Sequence, residues 1–282
     1  MQIPLYNLVI ILHPYFPLIR MITSDKKIRQ FQDSGAVVLR GYFKDWVEPL
    51  RQGIEKNLAS PSPYVRDYTD TGQGRFFGDY CNWQRIDEYR DFLFQSPAAK
   101  IASELMKSQN VRLFHEHVLV KEPGTTIPTP WHHDQPYYCV DGRQNCSIWL
   151  ALDPIPQQTS LEFVAASHRS NEMFQPERFD RSPLYENSKY RTIPDIEANR
   201  DSYEILSWGL ESGDAVAFHF LTLHSAPGNL DIDRRRRAFS SRWIGDDAIF
   251  AVREGPTSPP FPNSQLEHGE PISGDDFPLI ST

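Results

Sequence analysis

Thr129 to Tyr138 reads TPWHHDQPYY, and Pro128 and Pro130 at its start end any preceding helix and commit the chain to an extended path. Alternate side chains of an extended strand leave on the same face, so His132 and Asp134 are predicted to converge while His133 points away. A distant partner is predicted from Gly213 to Asn229, GDAVAFHFLTLHSAPGN. There Gly213 and Asp214 make a turn, Ala215 to Phe220 an apolar strand, and His224 falls at a strand or loop end. Two neutral imidazoles and one carboxylate on one face of an octahedron leave three positions open, the arrangement of a non-haem iron(II) site. His132, Asp134 and His224 are therefore the candidate metal ligands and catalytic centre. With nine histidines in the chain, roughly one His, any residue, Asp triplet is expected by chance, so the flanking sequence must carry the reading.

About a dozen residues beyond His224 come four consecutive arginines, Arg234 to Arg237, running into AFSSRW. Most of such a run reads as a solvated basic turn. One of the four has a use at an iron site, because a dicarboxylate bound to the metal at one end needs a fixed cation at the other, and the planar arginine fork provides it. Strand parity puts Arg236 on one face with Ala238 and Ser240, and Arg235 and Arg237 on the opposite face.

The same period of two organises the second half of the chain. Strands are predicted at Val111 to Lys121, Asn145 to Leu152, Leu161 to Ala165, Ala215 to Phe220 and Arg236 to Ile244, separated by Gly and Pro turns. Helices are predicted from Ser24 or Thr23 through Phe31 with Gly35 as the stop, from about Phe43 to Leu58, and from about Pro97 to Met106. The fold class expected is a β-rich α+β protein, a β-sandwich or jelly roll buttressed by helices.

WHHD with Tyr137 and Tyr138 behind it, SIWLALDPI from Ser147, SHR from Ser167, GDAVAFH, HSAPGN from His224 and RRAFSSRW from Arg236 occur here in an order and spacing that resemble the phytanoyl-CoA dioxygenase family. The resemblance runs from about Thr23 to the FPL at Phe277 to Leu279. It implies a cupin-like double-stranded β-helix, an Fe(II) cofactor held by His132, Asp134 and His224, and 2-oxoglutarate as cosubstrate with Arg236 on its distal carboxylate. It also implies cofactor-binding positions for Lys121 and Trp149. The implied reaction is hydroxylation of a small-molecule C–H bond by O2, with release of succinate and CO2. Halogenating relatives lack the carboxylate that Asp134 provides. Gln158, Thr159, Ala165 and Ala166 replace the family's usual Asn, Gly, Pro and Gly. Ala226 stands where some relatives carry a hydroxyl, which Ser225 or another donor must then supply. The alternative from another class is a metal-binding cupin-like protein or isomerase that oxidises nothing.

His115, His117, Leu119 and Lys121 share a strand face by parity, which makes the two histidines candidate substrate residues; Gln135 and Tyr137 are two more. Arg75, Asp79 and the aromatic run Phe76 to Trp83 are further candidates, and Ser170 to Tyr203 is a candidate lid. A net charge of -8 excludes a nucleic-acid face as the main activity, because phosphate contact needs clustered positive surface. Cys81, Cys139 and Cys146 lack paired spacing, so no disulfide framework is expected and a cytoplasmic location fits. Residues 1–22 read as an N-terminal extension, with Met21, directly before the first helix, as an alternative start to Met1, and residues 23–282 as one domain. The apolar run Leu8 to Leu12 is far short of the roughly 20 residues that span a bilayer, so no membrane partner is expected.

Overall fold

Alternation sorts the long strands into two cores. On Asn145–Ala151, Ile148 and Leu150 pack toward helices while Trp149 and Ala151 face the other way, and on Ala215–Phe218 the division falls between Ala215 and Ala217 on one side and Val216 and Phe218 on the other. A strand buried on both faces needs apolar residues at both parities, which is why these segments read as continuous apolar runs.

The computed structural model describes residues 21–68, 74–177, 182–186 and 188–280. The run Leu8 to Leu12 lies outside them. In chain order the elements are α1 (Asp25–Ser34), β1 (Ala36–Leu39), α2 (Val47–Ala59), β2 (Arg66–Asp67), β3 (Phe76–Tyr80), α3 (Asp87–Gln95), α4 (Ala98–Met106), β4 (Val111–Lys121), β5 (Thr129–His132), β6 (Val140–Asp141) and β7 (Asn145–Ala151). Then follow β8 (Glu162–Val164), β9 (Ile205–Ser207), β10 (Ala215–Phe218), β11 (His224–Ala226), β12 (Arg236–Ile244), β13 (Ile249–Phe250) and β14 (Leu279–Ile280). The major sheet runs β1-β10-β7-β12-β4-β3-β2, with β14 on β4, and the minor sheet runs β5-β11-β8-β9. The named strands pair antiparallel throughout.

This is the expected helix-buttressed jelly roll. β4 and β12 have the predicted bounds, and Gly35 closes α1 in the left-handed region at φ 78°. The second predicted helix begins as a 3-10 turn, Lys44–Trp46, before α2. Sequence reading passed over α3, although Tyr89, Phe92 and Leu93 have the i, i+3, i+4 spacing of a buried helical stripe and all three are in the core. Ile28, Phe31, Leu50, Ile54, Phe92 and Leu105 cover the outer face of the major sheet. Phe163 and Leu161 from the minor-sheet side close the inner face against Trp149 and Phe218. No helix among the described residues is long and apolar enough to cross a membrane.

Candidate metal centre

β11 lies between β5 and β8, and its register sets His224 directly opposite His132. That pairing returns the remote histidine to the motif. Nε2 of His132 is 3.6 Å and Nε2 of His224 is 3.9 Å from Oδ1 of Asp134. One ligand atom from each residue lies within 4.8 Å of the others, a spread that a single small cation can bridge. Nδ1 of His132 is 2.8 Å from the Pro130 carbonyl and Nδ1 of His224 is 2.9 Å from that of Thr222. A carbonyl only accepts, so both rings carry their proton on Nδ1 and turn a lone pair on Nε2 toward the common point.

Asp134 arrives there differently from the strand expectation. β5 stops at His132, and Asp134 sits at the head of the 3-10 turn Gln135–Tyr137 with φ -78° and ψ -38°. Its N–H donates to the Phe220 carbonyl at 2.8 Å, tying the turn to the loop that leads into His224. His133 does point away, buried between the Leu221 carbonyl and the Phe174 N–H. Burial opposes ionisation of Asp134, but His224, Arg242 and His132 outweigh it and, with the Tyr137 hydroxyl bonded to Oδ1, hold the carboxyl down at about 2. Burial, then His132, pushes His224 down to about 3, leaving it neutral and available as a ligand.

The triad opens on a cavity of about 590 Å³ between the sheets. Opposite rungs of β4 and β12, all but Ser240 lining the cavity, form its floor: Lys121 with Arg236, Leu119 with Ala238, His117 with Ser240, and His115 with Arg242. The predicted parity therefore holds, and Lys121, Arg236, His115 and His117 all line the cavity with Trp149 and Tyr137. Lys121 Nζ donates to the carbonyls of Ile127 and Pro227, and Arg236 donates to those of Thr159 and Pro227. No carboxylate among the described residues pairs with either cation. Burial, then the charge of Arg236, lowers Lys121 to about 6, and burial lowers Arg236 to about 10.

Some expectations move. Gln135 is buried outside the cavity, where its side chain bonds Gly142 and Asp141; it braces the turn instead of lining the substrate space. Ser225 faces away from the cavity that Ala226 lines, so it does not replace the missing hydroxyl. Arg235 and Arg237 are not merely solvated, since Glu122, Glu55 and Asp153 pair with them on the outer face. Ala166, at a usual glycine position, takes φ 61° and carries the strain of a left-handed alanine. In the aromatic run, Phe76 and Tyr80 reach the cavity. Asp79 is instead held by Asn57 and Ser62, and Arg75 pairs with Asp67 on the surface. From the lid candidate, Glu177 and Leu184 reach the cavity, and Glu197 accepts the Trp131 indole N–H at 2.6 Å.

Arg242 was missed. Its Nε donates to the Tyr138 hydroxyl and lies 3.8 Å from Oδ2 of Asp134. Counting Arg236, Ala238, Ser240 along the strand one step further would have placed it on the cavity face.

Residues 31–238 match the family described as Phytanoyl-CoA dioxygenase (PhyH), well over half of the chain, and the chain belongs to that family. Among solved structures, the alpha ketoglutarate dependent carbocyclase SnoK from nogalamycin biosynthesis aligns with TM-score 0.73 at 23% identity, covering 92% of this chain and 97% of that one. The epimerase SnoN, in complex with Fe3+, alpha ketoglutarate and nogalamycin RO, aligns with TM-score 0.72 at 22% identity over 91% and 98% of the two chains. EctD from S. alaskensis with 2-oxoglutarate and 5-hydroxyectoine gives 0.64 and 16% over 89% and 86%. At these identities the likeness is one of fold. A search of curated protein sequences gives no match.

Proposed function

We propose that this chain is an Fe(II)- and 2-oxoglutarate-dependent dioxygenase that hydroxylates an unactivated C–H bond of a small molecule, with release of succinate and CO2. The observation that carries the reading is the buried basic pair Lys121 and Arg236, faced by no carboxylate among the described residues, at the end of the cavity that holds the triad. A buried charge without a counter-ion is strongly unfavourable. A dicarboxylate reaching from the metal to this end supplies the missing charge, whereas a plain metal site has no use for it.

Iron bound by His132, Asp134 and His224 supplies the oxidation of 2-oxoglutarate and of the C–H bond by O2. The chain's own part is placement. Pro130 and Thr222 fix the tautomers of the two histidines, Tyr137 orients the Asp134 carboxylate, and Arg236 with Lys121 receives the distal carboxylate of 2-oxoglutarate beside Trp149. Tyr80, Tyr138 and Trp131 make much of the remaining wall apolar, which keeps bulk water from the reacting centre. Asp134 fills the third protein position, which favours hydroxylation over halogenation. The solved neighbours include a carbocyclase and an epimerase, so the hydroxylated product must be identified directly. Purified protein with iron, ascorbate, O2 and candidate small molecules is expected to release succinate in step with a product heavier by one oxygen. Protein that neither binds nor consumes 2-oxoglutarate refutes the reading.

A further inference from the structure

The charged side chains lining the cavity are Arg66, Lys121, Asp134, Glu177, Arg236 and Arg242. Under the oxygenase reading, Lys121 and Arg236 balance the two charges of 2-oxoglutarate, and Asp134 balances one of the two charges of iron. Arg66 and Glu177 are of opposite sign. Arg242 remains, six residues along β12 from Arg236 and so roughly 20 Å from it between Cα atoms, with Asp134 as its one carboxylate neighbour among the described residues, Nε to Oδ2 3.8 Å.

The environment of Arg242 is that of a receptor with free donors. It is buried, with 7% of its side chain exposed, and Nε is taken by the Tyr138 hydroxyl. Nη1 makes only a 3.4 Å contact with the Ser240 carbonyl, and Nη2 has no partner among the described residues. Across the strand pair stands His115, and on the next rung His117, whose Nε2 is buried without a hydrogen bond, as is Nδ1 of His115. A guanidinium with spare donors beside unsatisfied imidazoles, at the metal end of an aromatic-walled cavity, matches a planar oxyanion. The geometry points to an anionic substrate with an apolar body, whose carboxylate or other oxyanion is received by Arg242 and thereby sets which carbon faces the metal. This rests on the oxygenase reading and adds the substrate's charge to it.

The test uses the full chain under anaerobic conditions with saturating iron(II) and 2-oxoglutarate, so that the Lys121 and Arg236 end is occupied. Three probes share a phenylethyl body: 3-phenylpropionate, 3-phenylpropionamide and 2-phenylethylphosphonate. Binding is read by calorimetry and by perturbation of the visible charge-transfer band of the iron(II)–2-oxoglutarate complex. The acids are expected to bind at least about tenfold more tightly than the amide, and the stronger of the two acids identifies a carboxylate or a phosphorus oxyanion as the group recognised. Arg242→Gln, which keeps a donor for Tyr138, should weaken the acids by about tenfold to a hundredfold and leave the amide unchanged, with Arg242→Lys recovering part of the loss. A residue that merely braced Tyr138 would not separate acid from amide. Equal binding of acid and amide, no binding of either acid, or acid binding indifferent to Arg242→Gln overturns the inference. Absence of the charge-transfer band in the unaltered protein is a separate result, and defeats the oxygenase reading itself.

Discussion

Replacing Arg236 by Met removes one cation and two hydrogen-bond donors from the far end of the cavity while leaving the metal ligands untouched. In the free protein the guanidinium donates to the carbonyls of Thr159 and Pro227. Stranding the Thr159 carbonyl costs about 1–3 kcal/mol, while that of Pro227 keeps its bond from Lys121, and the cost is partly offset because a buried, unpaired cation disappears. With 2-oxoglutarate bound, the variant also loses a charge-assisted contact, and Lys121, relieved of its neighbour's repulsion, takes up its proton more readily and recovers part of it. The remaining deficit is about 2–4 kcal/mol, roughly 30- to 800-fold in 2-oxoglutarate affinity. The assay is anaerobic titration of the iron(II)-loaded protein with 2-oxoglutarate, followed by its charge-transfer absorption, with iron(II) titrated separately. Iron affinity is expected to change less than about threefold, because no ligand atom is bonded to Arg236. Parallel loss of iron and 2-oxoglutarate binding, or a 2-oxoglutarate affinity within about threefold of the unaltered protein, would refute the role given to this arginine.

Asp134→Ala should abolish substrate-coupled succinate formation and weaken iron binding by at least about a hundredfold, measured by equilibrium dialysis. Tyr137→Phe keeps the ring and removes the hydroxyl on Asp134, so iron affinity should fall by roughly three- to thirtyfold with the fold intact by circular dichroism. For pH, Lys121 has a lowered value of about 6 in the free protein and a raised one once a carboxylate faces it, so 2-oxoglutarate binding takes up a proton above that value. Affinity should therefore fall as pH rises from about 6 to 8, by up to about tenfold per unit, and calorimetry in buffers of different ionisation enthalpy should register the uptake. A pH-independent affinity would show that Lys121 stays charged throughout or takes no part.

Short-range periodicity made much of this protein legible in its sequence. Side chains alternate along any strand, so the bounds of β4 and β12, the shared face of His115, His117 and Lys121, and that of Arg236, Ala238 and Ser240 all followed from the local pattern, whereas the inward turn of Arg236 was implied by the family resemblance. Parity also contained Arg242, though no local feature distinguishes a cavity-facing arginine from a solvated one. What it could not contain is any relation between distant segments. The opposition of His224 to His132 is a matter of register between β11 and β5, and the bond from the Asp134 N–H to Phe220 a matter of how two loops meet. The strand argument for Asp134 reached the right neighbourhood through the wrong local conformation, because tertiary hydrogen bonds bend the chain into a turn just past His132. Likewise, the pairing of Arg235 and Arg237 depends on Glu55, Glu122 and Asp153, carried on other elements. The sequence by itself determined which residues could share a face. Packing alone decided which faces look at each other, since burial and counter-charge are properties of the space between elements.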